Sequence, residues 1–198
     1  MTIGAVVLMA GLSRRLPEKN KLLLPLEGAS VASRTIEILR NAGFSPILVV
    51  TGHEAGKIRE ELHDFDVSFL HNENYQEGMG TSIAKAMEKT KGWAGALIAM
   101  GDMPFVSVSL LRAIREAFQR DPSTIVAPIN GERRGQPVLF SALFFPALAQ
   151  CSGDIGGRQI IKDNTERLRV VETREKSIFW DIDTHQDLEE YRKESRDE

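Results

Sequence analysis

Cysteine is nearly absent from this chain: Cys151 is the only one among 198 residues. One thiol excludes an internal disulfide and a thiolate metal cluster. Set in what reads as an apolar helix, Cys151 is expected to be a packed, inert side chain. The chain also lacks any apolar run near the ~20 residues of a membrane span. The N-terminus has no basic stretch ahead of its short apolar segment, so no secretory signal is read and a cytoplasmic protein is expected. Charge of one sign is not in excess, the net value being −3. That argues against a nucleic-acid partner, which needs a broad basic patch. His53, His63, His71 and His185 have no ligand-like spacing, which makes zinc improbable. No Ser/His/Asp or Cys/His constellation, internal repeat or low-complexity segment stands out. The two common nucleotide fingerprints, the P-loop and the three-glycine dinucleotide turn, do not follow the first strand.

What is present is an alternation of strands and helices with 42% hydrophobic and 27% charged residues, ordinary for one globular domain spanning 1–198. Strands are expected at Ile3–Met9, Pro46–Thr51, Asp66–Leu70, Gly95–Met100, Thr124–Pro128 and Leu168–Glu172. Helices are expected at Val31–Asn41, Lys57–Leu62, Ser82–Lys89, Leu110–Arg120 and Thr184–Tyr191. Runs such as Ile47-Leu48-Val49-Val50 and Ala96-Leu97-Ile98-Ala99-Met100 are apolar on both faces, as strands under two helical layers are. The class is therefore α/β with a doubly wound, mostly parallel sheet. Asn130-Gly131 is a hairpin signal leading through Arg133-Arg134-Gly135-Gln136-Pro137 into Val138-Leu139-Phe140, read as a small β-ribbon insertion.

In such sheets ligands bind beyond the carboxyl ends of the strands, and the unusual turns fall there. The first strand delivers Leu8, Ala10 and Gly11, then Ser13, Arg14 and Arg15, with Lys21 following after a long loop. Small residues admit close backbone approach, and amides plus basic side chains make an anion cradle, here for a triphosphate. An ordinary strand-to-helix turn with solvated arginines is the alternative. The second strand delivers Gly52-His53-Glu54, the third leads to Asn72, and the fourth delivers Gly101-Asp102-Met103-Pro104. Asp102 suits a Mg²⁺ ligand, since Mg²⁺ is held by one or two carboxylates plus substrate phosphates; a turn or cap aspartate is the alternative. Asp183 is the favoured second carboxylate over Asp181, and either one also suits a helix cap. Gly78-Met79-Gly80-Thr81-Ser82 suits contact with a base or phosphate, while Thr81 or Ser82 alone reads as an N-cap. Arg134 and Gln136, and Asp154 and Arg158, lie in glycine turns suited to a second, anionic substrate. Solvated turns are the plain reading of both.

Taken in order, these motifs resemble the nucleotidyltransferases of molybdenum-cofactor maturation. The likeness runs through Leu8-x-Ala10-Gly11-x-Ser13-Arg14-Arg15, Lys21-Leu22-Leu23, Thr51-Gly52-His53-Glu54-Ala55 and Gly78-Met79-x-Thr81-Ser82. It continues through Gly101-Asp102-Met103-Pro104, Gly135-x-Pro137-Val138-x-Phe140, Gly153-Asp154-x-Gly156-x-Arg158 and Asp181-x-Asp183-Thr184. Ala10-Gly11 and Gly101-Asp102 look like the cytidylyltransferase branch, whose guanylyltransferase relatives usually show Gly-Gly and Cys-Asp. Leu16-Pro17 departs from the family's usual Met-Gly.

The resemblance implies a nucleotide-diphospho-sugar-transferase-like fold, CTP and molybdopterin as substrates, and Mg²⁺ (Mn²⁺ as a substitute) on Asp102 with Asp183 assisting. It implies phosphate contacts from Lys21 and Arg15 and a transient contact with a molybdenum hydroxylase or its chaperone. Guanylyl transfer to the same cofactor, a sugar- or alcohol-phosphate acceptor, and a non-catalytic cofactor chaperone are the rival readings.

Overall fold

The computed structural model describes residues 1–12, 20–154, 156–180, 182 and 184–197. In chain order the strands are β1 (Ile3–Met9), β2 (Pro25–Leu26), β3 (Ala29–Ser30), β4 (Ile47–Thr51), β5 (Ser68–His71), β6 (Gly95–Met100), β7 (Ile125–Asn130), β8 (Arg133–Arg134), β9 (Val138–Ser141) and β10 (Leu168–Glu172). The helices are α1 (Val31–Asn41), α2 (Ala55–Glu61), α3 (Met79–Met87), α4 (Val108–Arg120), α5 (Phe145–Leu148), α6 (Arg158–Asp163) and α7 (His185–Asp197).

Among the described residues, one sheet runs β10-β7-β9-β6-β1-β4-β5, with β8 paired to β7. β1 lies inside it, parallel to β4 on one side and β6 on the other, and is buried along its whole length. Its alternating residues feed two cores. Ala5, Val7 and Met9 join a cluster with Ile36 and Leu39 of α1 and Leu111, Ile114 and Phe118 of α4. Val6 and Leu8 join Ile83 and Ala86 of α3, Leu148 of α5 and Ile161 of α6 on the other face. A strand buried on both faces must be apolar at every position, which is why β1, β4 and β6 read as continuous hydrophobic runs.

Hydroxyl caps start the longer helices. The Ser30 hydroxyl accepts the Ser33 N–H at 3.0 Å, and the Ser107 hydroxyl accepts the Leu110 N–H at 3.0 Å. At α7 the Thr184 hydroxyl accepts the Asp187 N–H at 3.0 Å, while the Asp187 carboxylate accepts the Thr184 N–H at 2.7 Å. The cap there is thus Thr184, in a reciprocal capping box.

Three expectations need correction. β9 is not an appendage: it is inserted between β6 and β7, antiparallel to both, so the ribbon proper is only the short β7–β8 pairing. Its four residues are all buried, and they fill a place in the sheet that a parallel strand would need a further crossover to reach. Cys151 lies beyond α5 rather than within a helix; it is half-buried, and its Sγ sits 3.4 Å from the Gly156 carbonyl. Burial pushes its thiol pKa up, consistent with the inert reading. Finally, α3 begins at Met79 with Gly78 at the cap position, so neither Thr81 nor Ser82 caps it. No helix among the described residues is long and apolar enough to cross a membrane.

Candidate active site

The carboxyl ends of β1, β4, β5 and β6 meet on one edge of the sheet, and the last of them presents the most buried charge. Asp102 is 3% exposed, and the Lys21 ammonium lies 2.5 Å from its Oδ2. Lys21 is brought back to this edge by a 3-10 turn, Lys21–Leu23, opened by Asn20, whose side-chain oxygen accepts the Leu22 N–H at 3.1 Å. Leu22 and Leu24 anchor that turn in the core. The strand end itself is held twice. Gly101 N–H donates to the Leu8 carbonyl at 2.9 Å, and the buried Thr35 hydroxyl donates to the Gly101 carbonyl at 3.0 Å. Gly101 is small for packing reasons: a Cβ there would lie 2.6 Å from Met9 Cγ and 3.1 Å from the Leu8 carbonyl oxygen. Gly11 is different, for a Cβ there would meet nothing within 4 Å.

A second group assembles at β4 and β5. Asn72, buried at the end of β5, donates from its amide to the Thr81 hydroxyl at 2.9 Å and the Ser82 hydroxyl at 3.0 Å. Its own N–H donates to the Thr51 carbonyl at 2.8 Å. The expected residues Asn72, Thr81 and Ser82 are thus one hydrogen-bonded unit. Gly78, which introduces α3, has φ +110°, a conformation costly for any residue with a Cβ. Ala10 closes the group: its carbonyl accepts the His53 N–H at 3.4 Å.

Between these groups sits Glu54, in the left-handed region at φ 51° and at the start of α2. Its carboxylate pairs with the Lys57 ammonium. That hydrogen bond holds the Glu54 carboxyl below its ordinary value, partial burial opposes the shift, and the Asn20 side chain reinforces it.

Of the four residues expected to meet the second substrate, Gln136 falls in one layer and Asp154 and Arg158 in the other. Arg134 is exposed, opposite Ile129. Gln136 N–H donates to the Ile178 carbonyl at 2.9 Å, in the layer of α1, α4 and α7. A Cβ at Gly135 would lie 2.6 Å from Ile178, which explains that glycine without a ligand. Asp154 lies in the other layer, against the start of α3: a Cβ on Gly78 would be 2.7 Å from its Oδ1. The Gly80 N–H donates to the Gly153 carbonyl at 2.7 Å, so this turn caps α3 from seventy residues away. Arg158, exposed, opens α6 in that same layer.

These are the surroundings in which a profile of the MobA-like NTP transferase domain matches residues 5–170. The chain belongs to that family. A nucleotidyl transferase from Methanothermobacter is similar to this NTP transferase domain at 29% identity, with a TM-score of 0.84 over 99% of this chain and 98% of that one. The bifunctional protein GlmU of Geotalea daltonii is 34% identical over 126 residues, 62% of this chain and 27% of that protein. The domain therefore spans about a quarter of that relative's length. Nicotine blue oxidoreductase of Paenarthrobacter nicotinovorans is 24% identical over 188 residues, 92% of each chain.

Of the expected site residues, Leu8, Ala10, Gly11, Lys21, Gly52, Asn72, Gly78, Thr81, Ser82 and Asp102 come to this edge of the domain. Ser13, Arg14, Arg15, Asp181 and Asp183 lie outside the described residues. Sequence motifs passed over Asn20, Thr35 and Tyr75. Asn20 carried one usable signal, a polar residue directly before the apolar Lys21-Leu22-Leu23 turn that needs a cap. Thr35 carried none, since its partner is a backbone carbonyl 66 residues away.

Proposed function

We propose that this domain transfers CMP from CTP to the terminal phosphate of molybdopterin, releasing diphosphate. The observation that carries the reading is the Lys21–Asp102 pair, a buried carboxylate and an ammonium set beside the end of β1. Membership of an NTP transferase family and the resemblance at Ala10-Gly11 and Gly101-Asp102 support it.

The donor chemistry suits Mg²⁺, or Mn²⁺ in its place, because such ions take one or two carboxylates together with phosphate oxygens. Asp102 would hold the ion, with Asp183 as the second carboxylate; bound there, it would neutralise phosphate charge. The chain's own residues do the rest. Lys21 and Arg15 offset charge on the departing diphosphate, while amides of the segment from Leu8 through Gly11, with Ser13 and Arg14, hold the triphosphate. Gly52, Gly78 and the Asn72–Thr81–Ser82 unit receive the nucleoside. Arg134, Gln136, Asp154 and Arg158 flank the acceptor from two layers. A terminal phosphate oxygen of the pterin attacks the α-phosphorus of CTP, and the bond from that phosphorus to the bridging oxygen breaks. Phosphate monoesters are nucleophilic near neutral pH, so positioning and charge neutralisation suffice without a general base.

Incubation with each NTP, Mg²⁺ and a molybdopterin-bearing acceptor, scoring diphosphate release, tests the proposal. CTP should be preferred more than a hundredfold, about the limit that base-edge hydrogen bonds exceed. Comparable release with GTP would refute cytidylyl transfer, and release only with a sugar or alcohol phosphate would move the acceptor.

A further inference from the structure

The sequence offered two positions as marks of cytidine, Ala10 and Gly101, and they are not equivalent. Gly101 packs behind β1 against Met9 and the Leu8 carbonyl, so it does not line the crevice. Ala10 instead adjoins Gly52, which follows the neighbouring strand β4. A Cβ built on Gly52 would lie 3.0 Å from the Ala10 Cβ, 2.5 Å from Tyr75 Cγ and 2.6 Å from Tyr75 Cβ. Tyr75 is thus laid over the glycine that follows β4, next to Ala10, and Gly52 is a glycine because the tyrosine occupies that space.

Three further observations separate this ring from an ordinary packed aromatic. It is half-buried, and it belongs to neither hydrophobic cluster. Its aromatic neighbour is His53, with ring centroids 6.4 Å apart at 38°. Its mount is rigid and shared with the nucleoside unit. Tyr75 begins a 3-10 turn, Tyr75–Glu77, in which the Asn72 side chain accepts the Asn74 N–H at 3.1 Å and the Thr81 hydroxyl donates to the Asn74 carbonyl at 3.0 Å. The backbone that carries the ring is therefore tied directly to Asn72 and Thr81.

We propose that Tyr75 sizes the base pocket: its ring, over Gly52 and beside Ala10, admits a pyrimidine and excludes a purine. This rests on the reading of the β1–β4–β5 edge as the nucleotide site and adds the residue that selects the base. Selection works by bulk, so it separates CTP and UTP from GTP and ATP and is indifferent between the two pyrimidines. An apolar wall of this kind discriminates by roughly ten- to two-hundredfold per misfitting group. Finer choice between cytosine and uracil falls to polar groups elsewhere in the crevice.

Isothermal titration of CTP, UTP and GTP with Mg²⁺ into wild type, Tyr75→Phe, Tyr75→Leu and Tyr75→Ala tests it, with thermal unfolding to verify each fold. Tyr75→Phe should keep the wild-type CTP:GTP affinity ratio. Tyr75→Ala should lower that ratio at least about tenfold, with Tyr75→Leu between, while the CTP:UTP ratio stays within about twofold in all. Should Tyr75→Ala fail to fold, Tyr75→Leu carries the comparison. An unchanged CTP:GTP ratio in a folded Leu or Ala variant, or a ratio lost in Tyr75→Phe, overturns the sizing role while leaving the nucleotide site standing. Wild type that binds no nucleotide, or binds GTP as well as CTP, refutes the proposed function itself.

Discussion

The Lys21–Asp102 pair should reveal itself through an asymmetry between its two halves. Asp102 is 3% exposed and Lys21 19%, so the two deletions are not alike. Lys21→Met takes the ammonium away from a carboxylate that cannot turn to water. Losing one partner of a buried pair costs about 3–5 kcal/mol, and this carboxylate is buried enough to sit in that range. Asp102→Asn keeps the shape, removes the buried charge, and leaves a lysine whose head already reaches solvent, at about 1 kcal/mol for the weakened hydrogen bond. The expected order is Lys21→Met well below Asp102→Asn in stability, with the double variant recovering roughly half of the Lys21→Met loss. In a domain of this size about 1 kcal/mol shifts Tm by ~2–4 °C. Urea unfolding followed by circular dichroism at pH 7 reads the differences directly. Equal losses in the two single variants, or a Lys21→Met loss under about 1 kcal/mol, would show that the pair is not an energetic unit. Asp102→Asn should in addition abolish turnover while CTP still binds without Mg²⁺.

Gly101→Ala should cost about 1–3 kcal/mol through overpacking against Met9. Gly11→Ala, with open space around it, should unfold like wild type yet weaken CTP binding measurably by titration; a purely structural Gly11 would show neither effect. Asn72→Leu strands the buried Ser82 hydroxyl and should cost about 1–3 kcal/mol together with CTP affinity. Arg134→Ala and Arg158→Ala should each raise KM for molybdopterin about tenfold or more with little change for CTP; equal effects on both substrates would make them structural. The depressed Glu54 carboxyl contributes stability that is present above its unfolded pKa and lost as pH falls through the lower folded one. Acid unfolding curves of Glu54→Gln and wild type should therefore converge at low pH.

Where the chain's chemistry is local, the sequence was readable. β1, β6, β10 and α1 run between the residues their patterns and flanking turns indicated; for β1 and β6 the reason is burial on both faces, which leaves an unbroken hydrophobic run. The meeting of Ala10, Gly52, Asn72 and Asp102 at one edge followed from the parallel order of their strands. What was not legible depends on distant partners. The place of β9 is set by pairing with two strands at once, and nothing in Val138-Leu139-Phe140 encodes antiparallel over parallel. Gly101 stood among the marks of the cytidylyl branch and Gly135 in a turn offered to the second substrate, yet packing against Met9 and Ile178 accounts for the missing side chain at both. Thr81 and Ser82 looked like caps because a hydroxyl before a helix usually is one. Here Asn72 claims both hydroxyls, and a carbonyl from Gly153 satisfies the helix start.

That last contact also bears on the order in which the domain becomes competent. The strands β1, β4, β5 and β6, which carry the edge proposed for nucleotide, are all complete by Met100. The backbone that closes over Gly78 and Gly80 arrives only with Ser152–Asp154. A chain emerging during synthesis would pass through a long interval in which most of its sheet can pair while the turn before α3 lacks its seal. Nucleotide could then be captured firmly only once β9 has been inserted and α5 laid down. Loading of the triphosphate would thus report the arrival of the carboxyl-terminal half, and fragments ending before Ser152 would pair strands without holding CTP.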